Sequence, residues 1–339
     1  MSVVGEGQRR AKPVSSTIDN DLALSAVCAT EAAALAASRF MGRGDERAAD
    51  QAAVEAMRRA LDHIPVAGEI VIGEGQPDEA AMLFVGETVG RGGPRADIAL
   101  DPLQGVTLTA KGGPNALAVI ALAEKGGFLR TPDVYMNKIA VGGGLPADVV
   151  DLDQDPGKNL KSLARARGVD VGDLVVCVLD RPRHAEILAK IREAGSRVML
   201  ISDGDVSGVV AVARADSGVD MYLGCGGARE GVLAAAALRG CGGRMQGRLL
   251  LRNDDEKAKA TRMGIVDLNR KYSETDLAGG DVIFAATGVT DGSILRGVRR
   301  TAGGAVTRSI VLLSNTGTMR LIEARHDFAR ASGGRAERG

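Results

Sequence analysis

Four acidic residues stand beside glycines or at predicted element ends: Asp50 in GRGDERAAD, Glu74 in VIGEGQ, Asp101 in DPLQGV and Glu230 in GGAREG. Each can leave a packed layer and meet the others. The chain has only three histidines, and none of its four cysteines forms a C-x-x-C pair. A zinc cluster is therefore disfavoured. Carboxylates converging from separate elements suit a hard cation such as Mg2+ or Mn2+. Such an ion pairs with phosphate oxygens, lowers the pKa of a bound water and stabilises a leaving alkoxide. DPLQGV poses a question of its own. An acid and a proline after the apolar run Ile98-Ala99-Leu100 end a strand and aim Asp101 outward, yet neutral Gln104 stands where a second carboxylate would make a metal site obvious. Taken singly, each acid also suits a loop or a helix cap, and spacing alone does not bring the four together.

The elements that must position these groups are legible in outline. Residues 1–17 are polar and predict a disordered tail. LALSAVCATEAAALAASRF, from Asp21 on, predicts a helix ending at Gly42-Arg43-Gly44. Residues 45–64 predict a second helix, with Val54, Met57, Leu61 and Ile64 as its buried stripe. Asp50 falls on that stripe, where a carboxylate is out of place unless it caps the first turn or works. A strand at 69–72 leads into GEGQPDEA, and a helix is expected over 78–86. Further strands are expected at 98–100, 116–123 and 134–141, and residues 146–157 read as an acidic loop with room for a short strand. The runs at 174–179 and 198–201, separated by a helical segment at 184–194, predict a parallel βαβ unit. A strand at 221–223, a helix at 230–238 and late strands at 281–286 and 310–313 complete the pattern. We expect two subdomains, 18–155 and 156–328, and a flexible tail over 329–339.

Composition excludes several classes. Lys plus Arg equals Asp plus Glu at 43 each, so no global field favours nucleic acid or a basic partner. Aromatics make up 2% of the chain with no Trp, which argues against a base-stacking surface. The N-terminus lacks a signal-peptide core, and no apolar run reaches spanning length, so a cytoplasmic enzyme with no membrane partner is expected. Cys28 and Cys177 lie in apolar runs and read as buried free thiols. The 46 glycines include no G-x-x-x-x-G-K-[ST] run, so a nucleotide site is weakly supported.

Eight motifs in order then carry a resemblance over residues 18–328. After Asp50 and VIGEGQPDEAAML come DPLQGVTLTAKGGPNALAV, TPDVYMNKIAVG, RPRH, SDGDV, GGAREG and DVIFAATGVTDG. The chain resembles the class II fructose-1,6-bisphosphatases of the lithium-sensitive, metal-dependent phosphatase superfamily. The resemblance implies an α/β fold, a layered αβαβα sandwich of two subdomains with the site between them. It implies hydrolysis of the 1-phosphate of fructose 1,6-bisphosphate with Mn2+ or Mg2+, with sedoheptulose 1,7-bisphosphate as a second substrate, and a homodimer or homotetramer. The family's metal ligands fall on Asp50, Glu74, Asp101, Gln104 and Glu230. Its water-orienting threonine falls on Val106. Substrate contacts fall on Tyr135, Arg181, Arg183, Asp203 and Asp205. Arg183 would offer a fork to the non-reacting phosphate, the two aspartates would accept sugar hydroxyls, and Tyr135 would donate to a phosphate oxygen.

Two departures lie inside the signature. Gln104 replaces an acid, which lowers the charge available to a divalent ion. Val106 replaces a threonine and removes a hydroxyl worth ~10²–10⁴ in rate if it positions water. Thr107 is adjacent, but on an extended backbone it would face the other way. Lesser departures are Gln76, Ala81, Phe84, Ala185 and Arg229, the last bringing a cation next to Glu230. The alternative reading is a degenerate paralogue that holds a sugar phosphate with little or no turnover.

Overall fold

The computed structural model describes residues 19–333. The expected N-terminal tail lies outside them. In chain order the elements are helices α1 (Asn20–Ala37) and α2 (Glu46–Leu61), strands β1 (Ala67–Ile72), β2 (Thr88–Val89) and β3 (Arg95–Gln104), helix α3 (Val106–Lys111), and strands β4 (Leu117–Glu124) and β5 (Tyr135–Val141). Then follow α4 (Pro156–Arg167), β6 (Val175–Leu179), α5 (Ala185–Glu193), β7 (Arg197–Ile201), α6 (Asp205–Ala211), β8 (Met221–Gly227), α7 (Ala228–Cys241) and β9 (Arg244–Leu250). The chain continues through α8 (Asp254–Arg262), β10 (Tyr272–Ser273), α9 (Glu274–Leu277), β11 (Val282–Gly288), β12 (Arg299–Thr301), β13 (Gly304–Leu313), β14 (Thr318–Asp327) and α10 (Phe328–Gly333).

Two sheets form. The first is ordered β12-β13-β11-β4-β3-β1-β2, with β14 also paired to β13, and the second is ordered β10-β9-β5-β8-β6-β7. Their apolar runs alternate between faces, as a period of two requires. In β4, Leu117, Val119, Ala121 and Ala123 face one core and Ala118, Ile120 and Leu122 another. In β6, Cys177 and Leu179 face the first of these cores, while Val176 and Val178 face a third. Helices α6 and α7 fill the layer between the sheets, α1 and α2 cover the outside of the first, and α4 and α5 cover the outside of the second. The result is a five-layer αβαβα sandwich, as expected. Strands covered on both faces read as continuous apolar runs, which is why they were visible in the sequence.

The sheets do not divide at residues 155 and 156. β5 precedes that cut yet lies in the second sheet, and β11 to β14 follow it yet complete the first. Strand pairing over long sequence separations decides membership, and local composition carries no trace of it. The predicted tail over 329–339 begins inside α10. The predicted helix over 78–86 is a loop of turns and bends. There Glu74 N–H donates to Leu83 O at 3.0 Å and Val85 N–H to Gly75 O at 2.9 Å, while Leu83 takes a left-handed φ of 57°. The segment folds back on the GEGQ turn instead of bonding to itself. Residues 146–155 hold no strand. Cys28 is exposed on α1, whereas Cys177 is buried.

Segment Asn20–Phe40 is long and apolar enough to cross a membrane, but here it packs on β4, β11 and β13. Its polar groups have partners in the sheet. Thr30 Oγ1 meets Thr287 Oγ1 at 2.7 Å, and Thr287 meets Ser309 Oγ at 2.8 Å, all three fully buried. Thr307 Oγ1 donates to Glu31 Oε1 at 2.8 Å. The Thr30–Thr287–Ser309 chain gives a test that shape does not confound. Thr287→Val keeps the volume but removes the central hydroxyl, so urea unfolding should show a loss of about 1–3 kcal/mol. A loss below about 0.5 kcal/mol would mean the chain is not a structural bond.

Candidate active site

A cavity of about 270 Å³ lies where the first sheet meets the middle helical layer. Asp50 reaches it from α2, Glu74 from the turn after β1, Asp101 and Gln104 from β3, Val106 and Thr107 from the start of α3. From the opposite wall come Asp203 and Asp205 at the start of α6, and Arg229 and Glu230 in the first turn of α7. These elements are brought together by the fold, not by sequence spacing.

Local structure explains how each acid is presented. The β3–β4 register pairs Asp101 with Val119 and then Gln104 with Leu117, so β3 carries one extra residue. That bulge accommodates Pro102, which has no N–H for the ladder, and turns both polar side chains toward the cavity. Asp101 Oδ1 accepts the Leu103 N–H at 3.1 Å. Gly105, at φ 93°, then switches the chain into α3. The expected extended backbone at Thr107 is thus overturned: 106–111 is helical, and Val106 and Thr107 both line the cavity. Gly226 and Gly227 serve close approach. A Cβ at Gly226 would sit 2.1 Å from Asp205 Oδ2, and one at Gly227 1.9 Å from Glu230 Oε2.

The carboxylates crowd one another in a poorly solvated space. Burial, then Asp50, push Glu74 up from 4.5 to about 7, while Arg229 pulls the other way. Burial, then Glu74 and Glu230, hold Asp101 well above the ordinary carboxylate range. Burial raises Asp50, and burial followed by Asp205 raises Glu230. Among the described residues no group of three His, Cys, Asp or Glu side chains is already drawn into an ion cage. The donor set nonetheless suits a hard divalent cation: all-oxygen, acidic, and including Gln104, buried with both amide atoms lacking any protein partner. Asp50, Glu74, Asp101, Glu230 and the Gln104 carbonyl are the groups that would hold it.

The second wall is locked by an ion pair. Lys138 Nζ, fully buried, bonds to Asp205 Oδ2 and donates to Gly227 O at 2.8 Å. Asp205 was expected to accept sugar hydroxyls; one of its oxygens belongs to Lys138 instead. Lys138 was missed, although a lysine inside the apolar run YMNKIAV was its signal. Asp203 lines the cavity and accepts the Gly204 N–H at 2.9 Å.

Tyr135, Arg181 and Arg183 lie outside the cavity lining. Arg183 lies 4.9 Å above the Tyr135 ring, and Arg252, not anticipated, 5.1 Å from the same centroid. Two guanidiniums flank one tyrosine, the Arg252 charge being paired with Glu256 at 2.6 Å and that of Arg183, among the described residues, not ion-paired in this way. Arg181 stands 3.9 Å from Asp203. Arg183 also donates Nε and Nη2 to Cys225 O at 3.1 and 2.8 Å. His184, fully buried, accepts the Cys225 N–H on Nε2 at 2.8 Å and gives Nδ1–H to Leu179 O at 2.7 Å. This fixes one neutral tautomer, and burial keeps the ring below its usual pKa. The RPRH turn thereby grips both backbone groups of Cys225.

The raised Glu74 gives a pH prediction for the chain freed of divalent ions with a chelator. A folded pKa above the unfolded 4.5 means that Glu74 contributes stability below about pH 4.5, lost as pH rises through about 7. Glu74→Gln removes that dependence. Unfolding free energies should differ little near pH 4.5, and by pH 8 the variant should be more stable by roughly 2–3 kcal/mol. A difference that stays flat between those values would show that Glu74 does not carry the repulsion.

Comparison with known proteins finds relatives along most of the chain. Residues 20–326 match the family described as bacterial fructose-1,6-bisphosphatase, glpX-encoded. A Synechococcus (strain JA-3-3Ab) protein named D-fructose 1,6-bisphosphatase class 2/sedoheptulose 1,7-bisphosphatase is 43% identical, over 91% of this chain and 96% of its own. A Trichodesmium erythraeum protein of the same name is 41% identical, over 92% of this chain and 97% of its own. Matches that span almost the full length of both chains leave one conclusion: this chain belongs to the glpX-encoded bacterial fructose-1,6-bisphosphatase family.

Proposed function

We propose that the chain is a metal-dependent phosphatase that hydrolyses the 1-phosphate of fructose 1,6-bisphosphate, accepts sedoheptulose 1,7-bisphosphate as well, and uses Mn2+ or Mg2+. The observation that carries this reading is the single cavity into which Asp50, Glu74, Asp101 and Glu230 converge, opposite Asp203 and Asp205. The names of the relatives support both substrates. When bound, a divalent ion supplies a water of lowered pKa and a charge that polarises the phosphoryl group.

The chain's own groups do the remainder. Asp203 and Asp205 present acceptors to sugar hydroxyls, with Lys138 holding Asp205 in place. Arg183 keeps the rest of its five N–H groups for the distal phosphate, beside Tyr135, Arg181 and Arg252. The long helix α7 points its N-terminus at the cavity and favours an anion there. Thr107 Oγ1 takes the part of the hydroxyl that Val106 lacks, accepting a hydrogen bond from the attacking water and orienting it.

Phosphate release from fructose 1,6-bisphosphate with Mn2+ or Mg2+ tests this reading. The chain should turn over, and Thr107→Val should cost ~10²-fold or more in kcat with KM nearly unchanged. Val106→Thr should change kcat far less. If Val106→Thr instead raises kcat ~10²-fold while Thr107→Val is silent, the missing hydroxyl belongs at 106. If no version releases phosphate from either sugar bisphosphate, the phosphatase reading fails.

A further inference from the structure

Arg229 lies in the carboxylate cavity, and nothing in the phosphatase chemistry above uses it. It adjoins Glu230, and its Nη1 donates to Gly73 O at 2.7 Å, the carbonyl just before Glu74. Its Nη2 stands 3.1 Å from Asp133 Oδ1. The guanidinium is thus held between the Gly73 carbonyl and Asp133, and its charge draws the pKa of both Glu74 and Glu230 downward. A guanidinium does not titrate in the accessible range, so the charge is permanent. The Asp133 side chain is 75% exposed while that of Arg229 is 28% exposed, so solvent screens the outer pair and leaves most of the cation's field to the cavity.

We propose that Arg229 is a built-in cation of this centre and holds it to one divalent ion per chain in the absence of substrate. The proposal rests on the reading of the cavity as a metal centre and adds what this chain's own residues do to it. Charge decides the count. Asp205 is compensated by Lys138 and Asp203 faces Arg181 at 3.9 Å, which leaves Asp50, Glu74, Asp101 and Glu230 as the acids with no dedicated cation among the cavity residues. Gln104 adds an oxygen donor and no charge. Once a bound ion has displaced any protons on them, the four acids with Arg229 in place keep three net charges, and one divalent ion reduces these to one. A second ion would have to enter beside a fixed guanidinium and a bound cation, and would leave the centre positive. Without Arg229, two divalent ions balance the four acids.

Equilibrium dialysis with metal analysis, backed by Mn2+ paramagnetic resonance, tests this on the full chain without substrate. The chain as it stands should hold one Mn2+. Arg229→Gln should hold two, the first at least roughly tenfold more tightly, since a unit charge a few ångströms away weighs that much even at a high effective dielectric. Arg229→Lys, which keeps the charge and loses the fork, should still hold one. Asp133→Asn touches no acid of the centre and exposes the cavity to more of the cation, so it should weaken Mn2+ binding. Should Arg229→Gln misfold, Asp133→Asn and Arg229→Lys still decide the matter. Equal number and affinity in Arg229→Gln and the parent overturn the proposal and leave the metal centre standing. Behaviour of Arg229→Lys like Arg229→Gln overturns it too, because tethering and not charge would then be at work. If neither the parent nor any variant retains Mn2+, the proposal and the metal-centre reading fall together.

Discussion

Holding four acids, Asp50, Glu74, Asp101 and Glu230, half-buried around one cavity is the constraint that organises the rest of the molecule. Burial raises the pKa of both Glu74 and Asp101, with Asp50 the next cause for Glu74 and Glu74 the next for Asp101. Loose elements would let such groups separate into water. Here each hangs from an element held by packing: α2 on the first sheet, β1 and β3 within it, and α7 between the two sheets. The five-layer sandwich thus acts as a clamp. Its close approaches follow from the same demand, since a Cβ at Gly226 or Gly227 would displace the carboxylates of Asp205 or Glu230.

The opposite wall is stiffened by a different device. Lys138 is wholly buried, and a lone ammonium there would be untenable; it is held by Asp205 and by the Gly227 carbonyl. Those two partners begin α6 and precede α7, so one side chain ties together both helices that face the carboxylates. His184 and Arg183 do the same for β8 by taking the N–H and the carbonyl of Cys225. The residues of RPRH and SDGDV are therefore as much positioning groups as contact groups.

This division explains what was legible in the sequence. Strands covered on both faces announced themselves as apolar runs, and acids at strand ends and helix starts marked the side chains that the fold brings to one cavity. The helix expected at 78–86 failed because backbone bonds to residues 74 and 75, set by the GEGQ turn, outcompete local helix propensity. The orientation of Thr107 was misjudged because a bulge and a left-handed Gly105 end β3 at Gln104 and start a helix at Val106, where an extended backbone was assumed. The division of the sheets was illegible for a general reason: β11 to β14 return to the first sheet across more than a hundred residues. Arg252 could not be found by motif, since only the fold brings it to Tyr135.

Gln104 and Arg229 then take on a common meaning. They enter the cavity from opposite walls, one from the first sheet and one from α7, and both make it less negative. A site decaying into a passive surface would be expected to shed its electrostatic cost by losing the acids or exposing them. Instead all four acids remain at the cavity, each half-buried, and the amide of Gln104 is buried without a protein partner in a place that costs stability. Burial of that kind persists where an external cation can relieve it. The altered charge therefore points to a centre retuned in how many ions it holds, with its scaffold for holding them kept intact.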